Sequence, residues 1–178
     1  QKPNPKFYKV KPSKKFPIKI NEQLYLRKDF RDSIQNRIIN SELLEEQEYR
    51  YSDLPYYILK SIIENHYNLP LDALVQQHFY KSLGANYTTY KPLEKFSEYQ
   101  ITPTEIDDYF RYGTVQGYVH DMGAAMQDGV GGHAGLFSNA NDVAKLMQLY
   151  LQEGVYGGKR YFSTDTFKTF NTCHYCDL

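Results

Sequence analysis

Tyr51-Ser52-Asp53 places a phenol, a hydroxyl and a carboxylate on one short turn just ahead of a helical pattern. At a helix start the Asp53 carboxylate is expected to cap, accepting free backbone N–H groups. A phenol made acidic by a nearby lysine serves as a general base, which a serine nucleophile in acyl transfer requires. A second polar group comprises His120-Asp121, His133, and the acids Glu105, Asp107 and Asp108. Imidazole with carboxylate suits zinc, so a metal reading joins His120, Asp121 and His133. No H-E-x-x-H or comparable fixed spacing supports that reading. The competing one makes these residues hydrogen-bonded loop groups that brace a cleft. No metal and no cofactor are expected.

The cysteines, Cys173 and Cys176, form a single C-x-x-C. Such a pair is either a redox couple or half a zinc site. Without a second C-x-x-C the expectation is two incidental thiols. The glycines between Gly129 and Gly135 are not followed by Lys-Ser/Thr, so they do not form a phosphate loop.

The elements that must position these residues read as follows. Residues 1–20 are rich in Lys and Pro and lack periodicity, an extended or solvated lead-in. Helices are expected at about 27–40, from 54 or 55 to about 66 with Ile58, Leu59, Ile62 and Ile63 as its apolar stripe, and at 71–83 with Gly84 as its stop. In the third, Leu71, Leu74, Val75 and Phe79 should face inward. Residues 85–118 read as a long loop, with a short strand at 115–119. Another helix spans about 141–152, with Val143, Leu146, Met147 and Tyr150 inward and Ser138, Asn139 and Asn141 as candidate caps. Gly157-Gly158 then turns a hairpin between Val155-Tyr156 and Arg160-Tyr161-Phe162, and a last short helix starts after Ser163. The tally is mostly helix with a few short strands.

Bulk properties exclude some function classes. Lys+Arg and Asp+Glu are equal at 21 each, so no polyanion-binding surface is implied and nucleic acid is a poor partner. No apolar run approaches the ~20 residues of a membrane-spanning helix. The 178 residues suffice for one domain with a real core.

The passage YRYSDLPYYILKSIIENHYNLPLDALVQQHFYKSLGA and the later ITPTEIDDYFRYGTVQGYVHDMGAAMQDGVGGHAGLFSNANDVAKLM resemble the β-lactamase-related serine hydrolases. That family includes class C β-lactamases, D-alanyl-D-alanine carboxypeptidases and esterases. Within it, Pro-Thr-Glu, Val-His-Asp and Gly-His-Ala-Gly-Leu-Phe-Ser resemble the module that follows a glycoside hydrolase family 3 β-N-acetylglucosaminidase domain. The resemblance runs from about Phe7 onward. It implies an α+β class, the mostly helical lobe of the β-lactamase/transpeptidase-like fold, in residues 21–178. It also implies that Tyr51 matches the catalytic tyrosine and Asp53 the asparagine of Tyr-x-Asn. Aspartate there keeps an acceptor but loses the amide donor. The family's Ser-x-x-Lys and Lys/His-Thr-Gly motifs have no counterpart in these residues. His133-Ala134-Gly135 imitates the latter, but its place before Leu136-Phe137-Ser138 matches an earlier, non-catalytic segment.

The expectation is therefore part of a penicillin-recognising serine hydrolase of peptidoglycan turnover in the periplasm or cell envelope, inert by itself. Its parent would take a small-molecule or peptidoglycan-derived substrate, and exposed apolar surface would let copies self-associate. The alternatives are a non-catalytic module binding cell-wall sugar or peptide through Tyr-rich loops, and a zinc hydrolase.

Overall fold

The structure is a computed structural model, and it describes residues 3–45, 49–174 and 176. The chain divides into two units: Gln1–Leu43, Ser52–Leu71 and Tyr90–Leu136 form one, and Leu44–Tyr51, Asp72–Thr89 and Phe137–Leu178 the other.

The first unit begins where a solvated lead-in was expected. Strands β1 (Tyr8–Lys9), β2 (Ile18–Asn21) and β3 (Leu24–Leu26) form an antiparallel sheet in the order β1-β3-β2, with Tyr8 and Ile18 both paired to Leu26. Phe16, Ile20, Leu24 and Leu26 are buried, so apolar residues spaced among the lysines and prolines outweigh the composition. Asn21 Oδ1 accepts from Gln23 N at 3.0 Å and closes the β2–β3 turn. Ile20, Leu24, Leu26, Val119, Ala124 and Ala125 make the core, with Phe7, Phe30 and Phe110 packed on it.

Helix α1 (Phe30–Ile39) meets α2 (Leu54–Tyr67) through polar contacts. Arg31 pairs with Glu64 at 2.6 Å, and Gln35 Nε2 donates to Ser61 Oγ at 2.7 Å. Half of the expected stripe on α2 faces inward, Ile58 and Ile63 being half-buried. Leu59 and Ile62 are exposed, whereas Lys60 is buried and Tyr57, Ser61 and Glu64 are half-buried. Asn68, in left-handed conformation with φ 50°, ends the helix.

In the second unit, α3 (Leu71–Val75) continues through a π-helical turn (Gln76–Tyr80) into α4 (Lys81–Leu83), where one uninterrupted helix was expected. Leu71 and Leu74 are buried as expected, and Gly84, at φ 66°, makes the stop. Residues 85–118 are not a structureless loop. Thr89 bridges Phe137, and the first unit resumes with two 3₁₀ turns at Pro92–Glu94 and Glu98–Gln100. There, β4 (Pro103–Asp107) pairs with β5 (Gly113–Gln116), whose position replaces the expected 115–119 strand. Asp107 Oδ1 accepts from Tyr109 N and Phe110 N, so an aspartate builds the hairpin turn without a glycine pair.

Short helix α5 (Met122–Ala125) precedes the glycine segment, and α6 (Ala140–Leu151) follows it, capped by Asn139 at 2.9 Å from Asp142 N. The buried side chains of α6 are Asp142 and Leu149; of the expected face, Leu146 packs half-buried on the core, whereas Val143, Met147 and Tyr150 are exposed. Asp142 turns inward because it accepts from Tyr87 N at 2.6 Å and pairs with Lys145 at 2.9 Å. Strands β6 (Val155–Tyr156) and β7 (Lys159–Arg160) form the hairpin about Gly157-Gly158, pairing one residue earlier than expected, and α7 (Thr164–Asn171) is capped by Ser163. Tyr80, Leu83, Ala85 and Leu149 are the core of the second unit. Cys173 and Cys176 are joined in a disulfide, which corrects the expectation of two free thiols and leaves no thiolate for zinc.

Candidate functional site

Three of the expected site residues converge. Asp53 at the start of α2, Asp121 at the start of α5 and His133 in the glycine segment bring ligand-type atoms within 4.8 Å of one another. Asp121 is fixed twice: it accepts from Ala124 N at 2.6 Å and lies 2.9 Å from His133 Nε2. Burial alone would raise its carboxyl; the Ala124 N–H and His133 outweigh that and hold it below the usual carboxylate range. Asp53 is the N-terminal flanking residue of α2, but its side chain makes no cap hydrogen bond, contrary to expectation. Ser52 Oγ accepts from Leu54 N at 3.2 Å instead.

Tyr57, one turn beyond Asp53, stacks on His133 with ring centroids 4.9 Å apart and planes 17° from parallel. Burial raises its phenol pKa, and the charges of Asp121 and Asp53 raise it further. One turn further on, Lys60 is 3% exposed, donates to Val130 O and lies 3.9 Å from Glu64. The polar face of α2 thus holds the glycine segment against it. Glycines permit the approach: a Cβ on Gly123 would fall on the Tyr57 hydroxyl, and one on Gly132 would sit 2.6 Å from Tyr56 O. Tyr57 and Lys60 were missed in the sequence. Their signal was the polar spacing of Asp53, Tyr57, Lys60 and Glu64 along the helix, masked by the richer apolar stripe.

His120 does not join this cluster. It is 65% exposed, and its Nδ1 lies 3.2 Å from Glu105 Oε2. Glu105 and Asp107 instead belong to Arg111, whose side chain is fully buried. Tyr51 is 76% exposed and belongs to the second unit. A cavity of about 450 Å³ in the first unit, lined by Tyr8, Leu24, Phe110, Arg111 and Tyr112 among others, includes none of Asp53, Asp121, His133, His120 or Tyr51 in its lining.

His133 is 5% exposed at its side chain, and its buried Nδ1 has no hydrogen-bond partner. Zinc coordination through Nε2 would force the proton onto Nδ1 and bury a donor with no acceptor, a cost of about 1–3 kcal/mol. Metal-bound imidazoles have an acceptor at their other nitrogen. The site does not fit zinc, and hydrogen-bonded bracing describes it better.

Helices around a few short strands, with this braced turn, define a chain of the β-lactamase/transpeptidase-like fold. The Beta-lactamase family model matches residues 13–169, and the chain belongs to that family. It is 41% identical over 134 residues to the "Putative D-alanyl-D-alanine carboxypeptidase" of Escherichia coli (strain K12), covering 68% of this chain and 31% of that protein. The same-named protein of Salmonella agona (strain SL483) is 42% identical over 132 residues, covering 67% and 31%. The chain thus spans about a third of the length of these relatives. Among solved structures, "putative beta-lactamase from Bacteroides dorei DSM 17855" superposes with a TM-score of 0.54 at 16% identity, covering 78% of this chain and 34% of that one. The "octameric penicillin-binding protein homologue from Pyrococcus abyssi" gives 0.51 at 17% identity, covering 74% and 27%. No helix among the described residues is long and apolar enough to cross a membrane.

Proposed function

We propose that this chain carries the tyrosine-bearing helical part of a serine hydrolase that transfers acyl groups from an amide or ester in peptidoglycan metabolism. The observation that carries the reading is the braced turn at the start of α2, where Asp53 meets Asp121 and His133 directly after Tyr51-Ser52, in a chain of the Beta-lactamase family. In the complete reaction a serine attacks the carbonyl, Tyr51 and a lysine move its proton, and backbone N–H groups hold the oxyanion. Asp53 occupies the asparagine place of Tyr-x-Asn. The carboxypeptidase names of the relatives support a D-alanyl peptide as substrate class. Pairing with a family 3 β-N-acetylglucosaminidase domain and a periplasmic or envelope location rest on the sequence resemblance.

These residues hold neither Ser-x-x-Lys nor Lys/His-Thr-Gly, so the chain by itself is inert. Incubation with a fluorophosphonate and with a penicillin, read by intact mass, tests this. An unshifted mass is expected. A stoichiometric serine adduct would overturn the assignment.

Exposed tyrosines favour a second reading, a module binding cell-wall sugar or peptide. Tyr99 is wholly exposed, and Tyr109 and Tyr112 flank the tip of the β4–β5 hairpin. Saturable muropeptide binding, lost on replacing these tyrosines by alanine, would support it.

A further inference from the structure

We infer that His133 is a positioning residue: held as its Nε2–H tautomer between Asp121 and Tyr57, it fixes the first turn of α2 and the Ser52–Asp53 segment that opens it. This rests on the acyl-transfer reading, in which that segment carries the residue at the asparagine place.

The tautomer follows from geometry. Nε2 faces Asp121 Oδ1 at 2.9 Å, while Nδ1 is buried without a partner. A proton on Nδ1 would be stranded, and the bare Nε2 would then point its lone pair at a carboxylate oxygen. A proton on Nε2 makes a hydrogen bond to the carboxylate and leaves on Nδ1 only a lone pair, the cheaper group to leave unmatched. With that proton committed, Asp121 receives one donor from the helix start at Ala124 and one from the loop.

The ring's flat face does the rest. Tyr57 lies nearly parallel to it, and Gly123 leaves room for the phenol oxygen over the α5 turn. Asp53 precedes Tyr57 by one helical turn, and the Tyr56 N to Asp53 O bond of 3.0 Å ties that turn together. The glycine segment is in turn held from behind, since Lys60 donates to Val130 O and Tyr90 Oη donates to Gly131 O at 3.2 Å. His133 is therefore the pin through which the loop sets the helix start. It touches no reacting atom and acts through Asp121 and Tyr57.

The full chain, labelled with nitrogen-15, tests this at neutral to slightly alkaline pH. Long-range proton–nitrogen correlation distinguishes the five histidines, His133 being identified by the signal that His133→Gln removes. A protonated Nε2 with a bare Nδ1 is expected; the opposite tautomer would overturn the proposal. Two variants give the second readout. His133→Gln retains an N–H for Asp121 and should leave its carboxyl titrating where the parent's does. His133→Leu should let that titration rise and speed amide exchange at Tyr56 and Tyr57 by roughly tenfold. Equal behaviour of the two variants would sink the positioning role, and if neither folds, the tautomer in the unsubstituted chain decides. None of these readouts involves acylation. A failed acyl-transfer reading and a failed pin are therefore distinguishable.

Discussion

Arg111 donates to Asp107 Oδ2 at 2.7 Å, to Val119 O at 2.5 Å and to His120 O at 2.7 Å, and it also pairs with Glu105. One guanidinium thus ties the β4–β5 hairpin to the segment leading into Asp121, and the acids Glu105 and Asp107 of the second polar group answer it. Burial alone would raise the Asp107 carboxyl. Arg111 and the backbone N–H groups of Phe110 and Tyr109 outweigh that and bring it down to about 2, from an ordinary 3.8. A folded value below the unfolded one means stability that is present above about pH 4 and lost as pH falls through the folded value near 2. The difference corresponds to about 2 kcal/mol. Asp107→Asn should therefore lower the urea midpoint at pH 7 and flatten the loss of stability between pH 4 and pH 2. Parallel pH profiles for variant and parent would remove Asp107 from this account.

At the scale of elements, the glycine segment and α2 fit because of what is missing from the glycines. Gly132→Ala would place a Cβ against the Tyr56 carbonyl and the Lys60 Cβ, so the loop must retreat from the helix. A cost of about 1–3 kcal/mol in urea unfolding is expected. Gly113→Ala, in β5, meets nothing within 4 Å and should change stability by less than about 0.5 kcal/mol. Similar losses for both would mean that packing against α2 does not set the requirement. The same pair of elements shows why helix faces were misread. Helical periodicity located α2 and α6 within a residue or two, yet each buries a charged residue beside only part of its expected face. Lys60 and Asp142 find partners in distant segments, Val130 and Tyr87, and one-dimensional periodicity cannot register such long-range hydrogen bonds. The Asp53–Asp121–His133 cluster was half legible for the same reason. The residue types marked the candidates, but only the fold exchanges His120 for Asp53.

For the whole molecule, the helices were readable because helical spacing, caps and glycine stops agree with one another, and the fold class through the family resemblance, whereas the N-terminal sheet was hidden beneath a lysine- and proline-rich composition. The exposed face of α6 also bears on how the chain should behave at high concentration. Leu149 turns into the core, and Val143, Met147, Tyr150 and Leu151 stay in water, with Phe170 of α7 also exposed. Tyr150 is partly occupied by Phe162 and Phe167, whereas Met147 and Leu151 are 52% and 79% exposed. Neighbouring apolar side chains on one helix make a surface that water disfavours, so association of this chain with itself should grow with concentration. Light scattering across a concentration series should give a mass above the 20.9 kDa of a single chain at the upper end. Met147→Lys combined with Leu151→Lys places two cations on that face and should restore the single-chain mass without lowering the unfolding midpoint, because neither residue is buried. A parent that stays at 20.9 kDa throughout the series would refute the association. Association that survives both lysines would place it on another surface, for which the exposed Leu59 and Ile62 of α2 offer the next pair to replace.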